Sequence, residues 1–272
     1  MIIGFLGKGG SGKTTLSSAF ALYLAQENFV LAVDADHNMD MTYNLEAPER
    51  MSYIGQAIKD IHSYLGVGNY KESFEGDKEP EFSLSPLDTI TELYSTLITP
   101  TLRVMSTGPH TDDILYDRTC SHSLMTPLKI YLPFLKLKEK EYVVVDEKAG
   151  TDGVGTGITT GFNAAVVVAE PTVHGLKAAT QIIQLLKFYN TPYFIALNKV
   201  QKDEDIALCK EKFGREPDFI FKTDTETQRF GKHVSSIYKD EFAKLKKSLD
   251  VVRDTRIERT KKKFADNKAH TK

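Results

Sequence analysis

Met1-Ile-Ile-Gly-Phe-Leu-Gly7-Lys8-Gly9-Gly10-Ser11-Gly12-Lys13-Thr14-Thr15 decides the fold. A short apolar run ends in a glycine-rich turn, and a helical pattern follows in which Leu16, Phe20 and Tyr23 share one face. Strand, loop and helix in that order are the context the pattern Gly-x-x-x-x-Gly-Lys-Ser/Thr needs. Glycines let backbone N–H groups turn inward around phosphate oxygens, and the helix N-terminus adds partial positive charge. Gly7, Gly9, Gly10, Ser11, Gly12 and Thr15 therefore form an expected phosphate cradle. Lys13 is expected between the β- and γ-phosphates, with the Thr14 hydroxyl on Mg²⁺.

Working outward, apolar runs recur with helical patterns between them. Ile2–Leu6, Phe29–Val33, Tyr142–Asp146, Ala164–Ala169, Tyr193–Leu197 and Phe219–Phe221 read as strands. Val143-Val144-Val145 and Val166-Val167-Val168 are continuous, as strands covered on both faces require. Leu176, Ala179, Ile183 and Leu186 mark a helix between two of them. The expected fold is α/β: a P-loop, doubly wound, mostly parallel sheet with helices on both faces.

The chain has 272 residues, 41% apolar, enough for one large core. Residues 1–252 read as a single domain carrying an insertion at about 46–102, where Met51, Ile54, Ile58, Ile61 and Leu65 form an amphipathic pattern. Residues 66–85 hold Gly, Pro and charge and read as loop or short elements. Tyr238, Phe242, Leu245, Leu249 and Val252 mark a docking helix. Residues 253–272 carry eight Lys and Arg against three carboxylates and are expected as a solvated basic tail. Lys+Arg 35 against Asp+Glu 37 argues against a surface built wholly for nucleic acid. Two separated cysteines exclude a disulfide framework, and no apolar run approaches a membrane span. A cytoplasmic protein is expected, with no strong nucleic-acid or membrane signal.

Three carboxylates follow the second strand in Asp34-Ala-Asp36-His-Asn-Met-Asp40. That is where ligands bind in open α/β sheets, although Asp also serves turns and caps. Asp146 closes Val-Val-Val-Asp, and Asn198-Lys199 follows another strand, where Asn is also a common turn residue.

Lys8 is the unusual member of the loop, because a phosphate cradle needs one lysine. Lys8-Gly-Gly-x-Gly-Lys-Thr-Thr resembles the deviant Walker A signature of the nitrogenase iron protein, septum-positioning, plasmid-partition and metal-cluster maturation ATPases. The resemblance implies an ATPase that forms a homodimer around ATP, with Lys8 reaching the partner's nucleotide. It implies that Asp36 orients the attacking water, that Asp40 is a switch residue near the metal, and that Asp146 holds Mg²⁺ through water. Gly150 matches the glycine of the second switch, and Asn198 and Lys199 the base contact. Gln201 stands where guanine-specific relatives carry Asp, which favours ATP over GTP.

Tyr142-Val-Val-Val-Asp-Glu-Lys-Ala-Gly, Thr156-Gly, Val166-Val-Val-Ala-Glu-Pro and Ala196-Leu-Asn-Lys-Val are most similar to the nickel-insertion ATPases that mature carbon monoxide dehydrogenase. The likeness covers residues 1–40 and about 103–200. It implies a metalloenzyme client and a metal shared across the dimer by a Cys-x-Cys pair from each protomer. This chain has Cys120-Ser-His122 at that place, so a Cys₂His₂ set for Ni or Zn would need two copies. Cys is also often a small buried hydrophobe. Lys148 and Asp152-Gly153 depart from the family's second switch, where Glu and Glu-His are usual. The competing reading is a positioning ATPase whose tail touches DNA or anionic lipid.

Overall fold

The computed structural model describes residues 1–48, 51–75, 81–116, 120–224 and 234–270. The side chains of residues 113, 121, 122, 152, 156 and 267–270 also lie outside the description. The strands are β1 (Ile2–Gly7), β2 (Phe29–Ala35), β3 (Phe82–Ser83), β4 (Ser95–Thr99), β5 (Leu102–Ser106), β6 (Leu135–Lys136), β7 (Glu141–Glu147), β8 (Ala164–Ala169), β9 (Tyr193–Val200) and β10 (Phe219–Lys222). The α-helices are α1 (Lys13–Leu24), α2 (Asp40–Asn44), α3 (Ile58–Leu65), α4 (Thr89–Tyr94), α5 (Asp112–Leu115), α6 (Thr126–Phe134), α7 (Thr151–Thr156), α8 (Val173–Phe188), α9 (Asp203–Phe213), α10 (Val234–Ile237), α11 (Lys239–Leu249) and α12 (Arg256–His270).

Eight strands form one sheet in the order β10-β9-β8-β1-β7-β2-β5-β4. Every pairing is parallel except that of β4 with β5. β1 lies between β8 and β7 in the middle of the sheet, so its C-terminal end, where the glycine loop begins, is flanked by the ends of both.

Side chains alternate across a strand, and here both faces are buried. Ile2 and Leu6 of β1 join a core with Val143 and Val145 of β7 and Val167 of β8. Ile3 and Phe5 point the other way, into a core with Leu16, Phe20, Val144 and Val166. Gly4 permits this packing on the first side, since a Cβ there would lie 2.1 Å from the Phe162 ring.

Where the expectations named strands and helices, elements stand, with three differences. The pattern from Met51 to Leu65 is broken: a 3₁₀ turn (Ile54–Gln56) precedes α3. β4 and β5, at the border of the expected insertion, are strands of the main sheet. Arg103 interrupts β5's apolar run, and it is held across the antiparallel pair by the Ser95 hydroxyl (2.8 Å) and carbonyl (2.9 Å). The charged tail is also not wholly solvated. Residues 256–270 form α12, and Arg256, Arg259 and Thr260 are buried. Guanidinium groups can be buried where carbonyls accept their fixed fork of donors. Arg256 donates to the Leu132 (3.1 Å) and Leu135 (3.3 Å) carbonyls, and Arg259 to those of Thr160 and Phe162. No helix among the described residues is long and apolar enough to cross a membrane.

Candidate functional site

The loop from Gly7 to Gly12 turns at the C-terminal end of β1 and delivers the chain into α1. Gly12 caps α1 with φ 88°, a left-handed conformation that side chains other than glycine adopt at a cost. A Cβ at Gly12 would also meet the Asn198 amide nitrogen at 2.3 Å. Around the loop lies a cavity of about 500 Å³. It is lined by all nine residues from Lys8 to Leu16, and by Asp36, Asp40, Asn198 and Lys199. The sheet thus gathers the carboxylates after β2 and the Asn-Lys pair of β9 beside the loop of β1.

The floor is a buried network centred on Asp146. Lys13 Nζ lies 3.3 and 3.4 Å from its two oxygens, and Thr14 Oγ1 donates to it at 2.7 Å. Ser17 Oγ donates to the other oxygen at 3.1 Å. Burial pushes the Asp146 carboxyl upward, opposed by Lys13 and the two hydroxyls. Asp36 stands at 3.9 Å from the Lys13 ammonium, and Asp40 is exposed at the start of α2.

Asp34 is wholly buried and turns to structure. It accepts from the Thr42 N–H (2.7 Å) and hydroxyl (2.8 Å), fixing α2, and from the Asp36 N–H (3.3 Å). Burial, followed by the nearby Asp146 charge, pushes its pKa up to about 7 against those bonds.

From the far side, Asn198 Nδ2 donates to the Ser11 carbonyl at 2.8 Å, and Lys199 Nζ to the Gly10 carbonyl at 2.6 Å. Lys199 is also paired with Glu170. The Gly150 N–H donates to the Gly7 carbonyl at 2.8 Å, joining the segment after β7 to the loop. Lys8 is exposed on the rim.

Some residues at the site escaped the sequence reading. Ser17 follows Lys13 by four residues, one helical turn, and that spacing was its available signal. Thr223 and Asp224 line the cavity because they follow β10, beside β9, whose last residues include Asn198 and Lys199. Glu170 carries no local signal. His37 and His110 pack with ring centroids 4.5 Å apart and planes tilted by 45°, and His37 Nδ1 lies 3.1 Å from the Gly108 carbonyl. Sequence gave no partner to either.

Cys120 is exposed and precedes a 3₁₀ turn (Ser121–Met125) leading into α6, while the His122 side chain lies outside the described residues. Among the described residues no group of three or more His, Cys, Asp or Glu side chains could hold a metal ion. Leu124, in that turn, and Leu128 and Tyr131 of α6 are buried, and Leu135 follows in β6.

A central parallel sheet, a glycine loop at the end of its middle strand and carboxylates from the flanking strand ends define a P-loop nucleotide-binding protein. The chain belongs to the CobQ/CobB/MinD/ParA nucleotide binding domain family, which matches residues 2–252. It is similar to the carbon monoxide dehydrogenase accessory protein CooC of Rhodospirillum rubrum, 30% identical over 187 residues that cover 67% of each chain. An uncharacterized ATP-binding protein of Methanocaldococcus jannaschii is 25% identical over 227 residues, 79% of this chain and 85% of that one. Among solved structures, the cell division ATPase MinD of Pyrococcus furiosus aligns with TM-score 0.61 at 18% identity over 93% of this chain and 99% of its own. A ParA family ATPase from Chlorobium tepidum TLS gives 0.60 at 19%, covering 91% and 95%. The two solved structures share the fold.

Proposed function

We propose that the chain is an ATP-hydrolysing, dimeric switch serving metallocentre maturation, of the nickel-insertion type. The observation that carries the reading is the join of two features. A lysine-bearing phosphate loop with an exposed Lys8 stands beside the Lys13–Thr14–Asp146 network, in a chain 30% identical to an accessory protein of carbon monoxide dehydrogenase.

The donor set fits the nucleotide and its metal. Hydroxyl and carboxylate oxygens suit Mg²⁺, a hard cation that keeps several waters. Thr14 would hold the metal directly, with Asp146, Asp36 and Asp40 contributing through water. Bound there, Mg²⁺ supplies neutralisation of charge on the phosphates. Lys13 is placed to exchange its carboxylate partner for a phosphate. Asp36, close to that ammonium, orients the water, and Asn198 and Lys199 keep the loop in shape for the nucleotide. Lys8 reaches the second protomer's phosphates, so nucleotide biases the monomer–dimer equilibrium through contacts made only in the dimer. Dimerisation brings two copies of Cys120 and His122 together, and each protomer supplies half of a Ni or Zn site.

The alternative, a positioning ATPase on DNA or anionic lipid, has fewer free tail charges than its sequence offers, since Arg256 and Arg259 are buried.

The test is oligomeric state and bound Ni²⁺ or Zn²⁺, with and without a non-hydrolysable ATP analogue, in wild type and Cys120→Ala. Analogue-dependent dimers that take up metal only with Cys120 support the reading. Metal uptake indifferent to both nucleotide and Cys120 contradicts it.

A further inference from the structure

Behind the sheet, at the end away from the phosphate loop, α8 and α12 enclose a second cavity of about 430 Å³. Phe188, Tyr189 and Asn190 form one wall, and Arg259, Lys262, Lys263 and Asp266 the other. Phe188 ends α8, and Tyr189 and Asn190 lead from it toward β9, whose opposite end bears Asn198. The length of that strand, about 17 Å from Tyr193 to Asn198, therefore separates the two cavities.

Its charge is lopsided: three cations face one carboxylate. Among the described residues none of the three takes part in an ion pair. Arg259 is only 7% exposed, yet its guanidinium meets neutral acceptors alone, namely the Thr255 hydroxyl and the Thr160 and Phe162 carbonyls. Its Nε has no acceptor. Lys263 Nζ sits 4.4 Å from the Tyr189 ring centroid, and its electrostatic neighbour is another cation, Lys129. Asp254 and Glu258 act on Arg259 without touching it, so this partly buried positive charge is incompletely compensated, and an anion would relieve it. The aromatic wall adds a different preference. Phe188 is 76% exposed at the mouth and meets Tyr189 edge-on at 5.1 Å, leaving ring surface for a flat apolar group. The volume is within the range of small-molecule sites, and convergent charge on an apolar wall is their usual composition.

We propose that this cavity binds a small organic anion, a phosphate monoester or a carboxylic acid carrying an aromatic ring, with Lys262, Lys263 and Arg259 on the anion and Phe188 and Tyr189 on the ring. The site is independent of the nucleotide loop.

Phenyl phosphate is the probe, titrated calorimetrically into the full chain with the nucleotide loop saturated by a non-hydrolysable ATP analogue. Phenyl phosphate is expected to saturate at or below the millimolar range, with phenol and inorganic phosphate each at least roughly tenfold weaker. Lys263→Met and, separately, Lys262→Ala should weaken it by at least roughly tenfold, while Lys263→Arg retains it within about threefold. Lys262 is exposed, so its variant reports on binding even if Lys263→Met is unstable. No saturation by about 10 mM overturns the proposal. So does affinity unchanged in both variants, or inorganic phosphate binding as tightly as the ester.

Discussion

Lys13 Nζ lies 3.3 Å from Asp146 Oδ2, joining residues 133 apart in the sequence inside a network with almost no exposure to water. Each charge is the other's main compensation, and that sets what mutation does to the site.

Lys13→Ala should abolish nucleotide binding and also destabilise the fold. Removing one partner of a buried pair leaves an uncompensated charge, at a cost of about 3–5 kcal/mol. Burial already raises the Asp146 pKa, and Lys13 is the first influence that lowers it. Without Lys13 the carboxyl protonates more readily, so the penalty should shrink as pH falls from about 8 to about 5. Urea unfolding at several pH values checks this; a penalty that grows in acid contradicts it.

Lys8→Ala should behave oppositely. Its side chain is exposed and belongs to no internal pairing among the described residues, so stability and nucleotide affinity should stay within about threefold of wild type. Light scattering with a non-hydrolysable ATP analogue should find wild type dimeric, as the proposed function expects, and the variant monomeric. Dimers in the variant would remove Lys8 from the interface.

Gly12→Ala meets two obstacles: φ 88°, and an added Cβ 2.3 Å from the Asn198 amide. The left-handed conformation alone costs about 1–2 kcal/mol. Thermal unfolding should fall accordingly, and nucleotide affinity should drop further because Asn198 must leave the Ser11 carbonyl. Asn198→Ala in the same background should restore part of the stability by clearing the clash.

Arg256→Ala should destabilise the fold by about 2–4 kcal/mol, despite lying in a charged segment. The Leu135 carbonyl loses the guanidinium, the Leu132 carbonyl keeps only the Leu135 N–H, and Asp254 loses its ionic partner, bonded at 2.7 Å. A change below about 0.5 kcal/mol in denaturant unfolding would mean that the segment is solvated after all.

Burial, with Lys129 nearby, depresses the Lys263 ammonium to a pKa of about 8, against an unfolded value of about 10.4. Between those values the unfolded chain holds the proton and the folded chain has released it, so stability rises with pH across that window. Relative to Lys263→Met, wild type should gain about 1–2 kcal/mol there, discounted because the side chain is partly solvated. A pH profile parallel to the variant's would refute it.

How much of this was legible in sequence depended on how local the cause was. The continuous valines of β7 and β8 announced doubly covered strands, because burial on both faces leaves nothing to alternate. The glycine loop announced its own geometry. β5 did not, because Arg103 satisfies its donors on Ser95 of the neighbouring strand, a partner that pattern cannot see. Arg256 and Arg259 looked solvated for the same reason, since their acceptors are carbonyls far away in the chain. At the site, Asp34 and Asp36 look equivalent in sequence. The fold separates them: Thr42 occupies the first, and the second is left facing Lys13.

Arg256 and the carbonyl of Leu132 that it binds are 124 residues apart. At translation rates of about 5–20 residues per second, the guanidinium leaves the ribosome on the order of ten seconds after its acceptor. For that interval the Leu132 carbonyl has only its local donor, the Leu135 N–H, and the long-range one does not yet exist. Water or a chaperone must stand in for the guanidinium, which makes the clasp by α12 a late event in biogenesis.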